Sequence, residues 1–145
     1  MSLLALAYVS DARPGLVLRD LKHLLRRSRE FNFRHGVTGL LLYDGAHFVQ
    51  WLEGPDDAVD PLMDAIRVDA RHSGVRICMR RAQDARVFGD WVMGCARLAG
   101  AEAATLRGSV ADFVAAEDPT PAEVKAFFVL MQAYASPGSA PALAL

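Results

Sequence analysis

The chain has 145 residues, of which 52% are hydrophobic and 23% charged, with a formal net charge of −1. That length supports one domain with a full hydrophobic core and is too short for two comfortable ones. Lys and Arg are scattered, so nothing argues for nucleic acid or an anionic membrane, and no apolar run approaches the roughly 20 residues of a transmembrane helix.

Leu3 to Ser10 reads as a first strand, with Leu4, Leu6, Tyr8 and Ser10 on one face and Leu3, Ala5, Ala7 and Val9 on the other. Asp11-Ala12-Arg13-Pro14-Gly15 is turn-prone. From about Leu16 to His35 the pattern becomes helical. Leu18, Leu21, Leu25, Ser28 and Asn32 recur at spacings of three and four. This stripe starts apolar and ends polar, so Ser28 and Asn32 point where a core-facing helix normally places Leu or Ile. Gly36 suits a left-handed helix cap. Val37 to Tyr43 is a second strand, Asp44-Gly45 a tight hairpin, and His47 to Leu52 a third strand. Gly54-Pro55 breaks it. Asp56 or Asp57 then caps a helix to about Asp69 that buries Val59, Leu62, Met63 and Ile66. Val75 to Arg81 is a fourth strand. Trp91 to Arg97 is a short fifth, with Trp91, Met93 and Cys95 on one face.

The order β-α-β-β-α-β with one further strand is an α+β, ferredoxin-like arrangement with two helices on one sheet face. Beyond it the chain turns alanine-rich. Leu106, Val110, Phe113 and Val114 suggest one helix. Thr120-Pro121-Ala122-Glu123 opens another, with a cap, a first-turn proline and a Glu three residues on. Phe127, Phe128, Met131 and Tyr134 give this appendage apolar surface in more than one direction, fit to pack on the sheet's free face and to meet a second copy or a partner protein. The expected division is 1–98 for the core, 99–135 for the helical appendage and 136–145 for a frayed Pro/Gly/Ser/Ala tail.

Met1-Ser2-Leu3 lacks the basic region and cleavage site of a signal peptide, which implies a cytoplasmic protein. Cys78 and Cys95 belong to no CxxC pair and read as small buried hydrophobes. His23, His35, His47 and His72 show no metal-ligand spacing, so no metal is implied. There is no GxSxG elbow, no P-loop and no GxGxxG after the first strand. An acylphosphatase-like enzyme would need a phosphate cradle there, and Arg13-Pro14-Gly15 does not make one.

Gln50 is the most telling residue. In the strand His47-Phe48-Val49-Gln50-Trp51-Leu52 it shares a face with Phe48 and Leu52, the greasier of the two faces, and His47, Val49, Trp51 and Glu53 take the other. Burying an unpaired carboxamide costs roughly 1–3 kcal/mol, so Gln50 needs partners, either neighbouring backbone or a ligand. Tyr8, Ser28 and Asn32 pose the same question, and each alone has an ordinary structural answer. Together they line the gap between the first helix and the sheet with hydrogen-bonding groups. Apolar walls with a few placed donors and acceptors hold a planar heterocycle.

Several blocks, in order and at matching spacing over about residues 3–97, resemble the BLUF family of flavin-based blue-light sensors. They are Tyr8-Val9-Ser10, Ser28-Arg29-Glu30-Phe31-Asn32, Gly36-Val37-Thr38-Gly39-Leu40-Leu41-Leu42-Tyr43, Phe48-Val49-Gln50-Trp51-Leu52-Glu53-Gly54-Pro55, Asp69-Ala70-Arg71-His72 and Phe88-Gly89-Asp90-Trp91-Val92-Met93. The resemblance implies FAD as cofactor and light sensing without turnover of a substrate. Tyr8 would give an electron and a coupled proton to the excited flavin. Gln50 would lie between Tyr8 and the ring. Asn32 would hold the C4 carbonyl and ring NH region with Ser28 nearby, and Asp69, Arg71 and His72 would serve the ring edge, ribityl chain or phosphate. Trp91 and Met93 would occupy the signalling strand beside Gln50. Trp51 stands where many relatives carry an aliphatic residue, and its parity turns it away from the flavin. With only two helices and a tail after residue 97, the chain looks like a short stand-alone sensor that passes its signal to a partner protein. The alternative reading is a ferredoxin-like module for a colourless metabolite; an acylphosphatase-like or flavin-dependent enzyme comes third.

Overall fold

The computed structural model describes residues 3–135; the tail expected at 136–145 lies outside them. The elements run β1 (Leu3–Ala12), α1 (Leu18–His35), β2 (Thr38–Tyr43), β3 (His47–Gly54), α2 (Asp56–Arg67), β4 (His72–Gln83), β5 (Gly94–Arg97), a 3-10 turn (Ala101–Ala103), α3 (Ala104–Ala115) and α4 (Pro121–Gln132). The five strands form one sheet in the order β4-β1-β3-β2-β5. β1 runs antiparallel to both β3 and β4, and β2 is antiparallel to β3 but parallel to β5. This is the ferredoxin-like core, extended by a fifth strand at one edge.

Period-two alternation fixes which face each strand residue serves. Leu4, Leu6, Tyr8, Leu41, Phe48 and Leu52 pack with Leu21 and Leu25 of α1 and with Val59 and Met63 of α2. Ala5, Ala7, Val9, Leu40, Leu42, Val49 and Trp51 pack on the opposite face with Val110 of α3 and with Val124, Phe128 and Met131 of α4. The expected seat of the C-terminal helices on the free face is therefore where they lie. With helices on both sides, the Val49-Trp51-Glu53 face is as fully buried as the face of Gln50, contrary to the expectation that Gln50 lies on the greasier face.

Local chemistry sets the element ends. Gly36 terminates α1 in the left-handed region at φ 69°, a conformation that costs a glycine nothing. Asp44 accepts hydrogen bonds from the amides of Ala46 and His47 at 2.9 and 2.6 Å, closing the β2–β3 hairpin. Thr120 and Glu123 form the reciprocal cap of α4. Neither Asp56 nor Asp57 caps α2. Pro55 takes the cap position, and the two carboxylates sit in the first turn, where the helix dipole favours negative charge. The same helix stops at Arg67 instead of Asp69, because the Asp69 carboxylate accepts from the Arg71 amide at 2.9 Å and makes its own turn.

The largest departure concerns β5. It starts at Gly94, so Trp91 and Met93 lie in the connection before it. The Trp91 indole folds back over Gly94, where a Cβ would fall 2.0 Å from the ring. That fold bends the chain and splits the expected face. Met93 and Cys95 join the α1–α2 side, and Trp91 joins Phe88 and Trp51 on the other.

Candidate functional site

Between α1, α2 and the sheet lies a partly open, largely apolar cleft. Tyr8, Ser28, Asn32, Gln50, Asp69, Arg71, His72 and Met93 all line it, along with apolar walls from Leu24, Phe48, Leu52 and Ile66. Trp91 does not, and the expectation that it stands beside Gln50 is corrected for the reason just given. Trp51 also points away from the cleft, with its ring centroid 5.8 Å from that of Phe88 and 5.6 Å from that of Phe128.

Tyr8 and Gln50 face each other directly across β1 and β3. The Tyr8 hydroxyl donates to Gln50 Oε1 at 2.5 Å. Burial, and secondarily the charge of Asp69, push the phenol well above its ordinary pKa, so Tyr8 keeps its proton and donates it. This fixes the carboxamide with its oxygen toward Tyr8. The Gln50 Nε2 then reaches only Met93 Sδ, at 3.4 Å. A thioether is a weak acceptor, which leaves that donor poorly satisfied.

Asn32 presents the complementary problem. Its Nδ2 donates to the Val92 carbonyl at 2.9 Å, and its Oδ1 is buried with no partner. Native interiors rarely leave such an oxygen unpaired, so the cleft asks for a ligand carrying an N–H donor. His72 differs from its expected part. Its Nδ1 lies 2.7 Å from Ser10 Oγ and its Nε2 lies 2.5 Å from the Ile66 carbonyl. Both nitrogens are committed within the protein, so His72 supplies a ring wall. At the mouth, Arg71 Nε and Nη2 donate to the two Asp69 oxygens at 2.9 and 2.8 Å. That bond holds the Asp69 carboxyl below its usual range and raises the Arg71 guanidinium.

Two structural residues escaped the sequence reading. Arg29, half-buried on α1, donates from Nε to the Met93 carbonyl at 3.1 Å. Glu53, wholly buried, accepts from Trp51 Nε1 at 3.2 Å, Gln83 Nε2 at 2.6 Å and the amides of Val87 and Phe88 at 2.9 and 2.5 Å. A charged residue on an otherwise apolar strand face was the available signal for Glu53. No such signal marks Arg29, one of six Lys and Arg residues on a mostly solvated helix.

The fold and cleft define a class: a ferredoxin-like domain whose cleft offers a buried acceptor without a partner, a half-satisfied amide and apolar walls. Residues 3–94 match the family described as BLUF, sensors of blue-light using FAD, and the chain belongs to that family. It is 36% identical over 93 residues to the photoactivated adenylate cyclase subunit beta of Euglena gracilis, covering 63% of this chain and 11% of that protein. It superimposes on the dark-state structure of BlrB, a BLUF protein, with a TM-score of 0.75 and 34% identity, covering 89% of this chain and 96% of that one. Klebsiella pneumoniae BlrP1 with FMN and cyclic diGMP gives a TM-score of 0.66 at 29% identity, over 91% of this chain and 34% of that one.

Proposed function

We propose that this protein is a cytoplasmic blue-light receptor that binds FAD in the α1–α2 cleft and signals, through its C-terminal helices, to a partner protein. The observation that carries this reading is the cross-strand pair: Tyr8 donates to Gln50 in the cleft wall, and the opposite corner of the amide meets only a sulfur. When bound, a flavin supplies absorption of blue light and, once excited, an acceptor for one electron. Tyr8 would supply that electron, and the 2.5 Å bond to Gln50 Oε1 would carry the proton released with it. Once both had returned to Tyr8, Gln50 would stand in a second arrangement, rotated or tautomerised, with its donor and acceptor corners exchanged. Two such arrangements of similar energy make a bistable element that light repopulates. Asn32 Oδ1 would accept from a ring NH, and Arg71, held by Asp69, would be available to the phosphates.

The test is spectroscopic. The purified protein, reconstituted with FAD, develops a reversible red shift of its flavin absorption under blue light. Gln50→Leu retains the flavin and loses the shift. A shift that persists in Gln50→Leu overturns the role of the amide. A protein that takes up no flavin overturns the receptor reading in favour of a metabolite-binding module. Chromatography of the cofactor released from native protein identifies FAD, and FMN alone would overturn the dinucleotide assignment.

A further inference from the structure

The three residues before β5 belong to no regular element, yet each is held. The Trp91 carbonyl accepts from the Gly39 amide at 2.9 Å, the Val92 carbonyl from Asn32 Nδ2 at 2.9 Å, and the Met93 carbonyl from Arg29 Nε at 3.1 Å. The last two donors come from one face of α1, three residues apart, and grip consecutive carbonyls. Met93 Sδ meets Gln50 Nε2 at 3.4 Å on the other side. The segment is therefore clasped between α1, the amide and, through Gly39, the edge of β2. Arg29 is the clasping side chain that does not line the cleft. Its Nη2 is buried without a partner, so part of the guanidinium has left solvent beside the single bond to Met93. Burial lowers its pKa accordingly.

We infer that Arg29 is a positioning residue, which holds the Met93 backbone so that the sulfur stays opposite Gln50 and segment 91–93 follows the state of the amide. The inference rests on the reading of Gln50 as the switch. A change at Gln50 alters one side of the clasp, and the Arg29 bond sets how readily the segment returns. The active feature is a directional N–H at the Nε position, and not the positive charge.

Side-chain length makes this testable. In glutamine the amide nitrogen follows the same number of bonds from the backbone as Nε of arginine, so Arg29→Gln keeps a donor there without the charge. Arg29→Lys keeps the charge and puts a methylene at that position, and Arg29→Met has neither. In FAD-loaded protein all three variants retain the parent's flavin affinity. Recovery in the dark after a blue-light pulse slows about 2- to 10-fold in the Lys and Met variants, the equivalent of one ordinary hydrogen bond. It stays at the parent rate in Arg29→Gln. Hydrogen exchange read by mass spectrometry shows loss of protection over 91–94 in the Lys and Met variants of dark-adapted protein, with the Gln variant protected. Unchanged or faster recovery in Arg29→Met, or a normal rate in Lys with a slow rate in Gln, overturns the inference. A parent that shows no red shift at all overturns the Gln50 reading instead.

Discussion

At the residue scale, the cleft depends on an inequality between the two ends of one carboxamide. The Tyr8 side is short and strong, at 2.5 Å, and the Met93 side is long and weak, at 3.4 Å. The proton on Tyr8 has a consequence for stability. Burial raises the folded-state pKa of this phenol, so its stabilising contribution is complete below the unfolded value of about 10 and declines as pH rises toward the folded value. Urea unfolding midpoints therefore fall more steeply above about pH 10 in the parent than in Tyr8→Phe. Equal slopes in the two proteins would show that the phenol is not shielded. Gln50, Tyr8 and Asn32 were legible in the sequence because polar residues interrupted apolar stripes of known period. Arg29 was not, since an arginine on a basic helix looks the same whether it faces water or a carbonyl sixty-four residues away.

At the element scale, the β4–β5 connection is governed by side chains. Glu53 receives its Val87 and Phe88 amides, and Arg86 reaches back to Thr38 Oγ1 at 2.8 Å and to the carbonyl oxygens of Glu53 and Gly36 at 3.1 and 2.6 Å. Replacing Glu53 by Gln turns one acceptor oxygen into a donor facing donors. Glu53→Gln loses about 1.5–3 kcal/mol in chemical denaturation, as expected for bonds to a buried charged group. A neutral effect would mean that the loop holds itself. The same connection explains why β5 was misjudged. Alternation of Trp91, Met93 and Cys95 imitates a strand, but Gly94 leaves room for the indole to fold over the backbone, and pattern alone cannot register that contact. The longer elements gave less difficulty: β1, α1 and β3 fall within two residues of their sequence limits, and α4 starts at Pro121, where its cap signal stands.

At the scale of the whole molecule, the sheet is covered on both faces, and the helices after Gly100 are part of that cover. Val110, Val124, Phe128 and Met131 are all fully buried, against a sheet face that includes Trp51 and Val49. A chain ending at Leu98 exposes this face. It associates or precipitates in size-exclusion chromatography, at concentrations where the full chain elutes as a single defined species. A well-behaved truncated monomer would show the C-terminal helices to be dispensable cover. The two-sided burial also has a meaning for inheritance and for engineering. Gln50 and Trp51 are adjacent in the chain and belong to opposite chambers, one containing the cleft and the other the aromatic contact with α4. On β1 and β3 the even-numbered residues, Tyr8 and Gln50 among them, thus face the chamber of the cleft, and the odd-numbered ones, Val9, Val49 and Trp51, meet the outer helices. A substitution on one set therefore changes the packing of one chamber and leaves the side chains of the other in place.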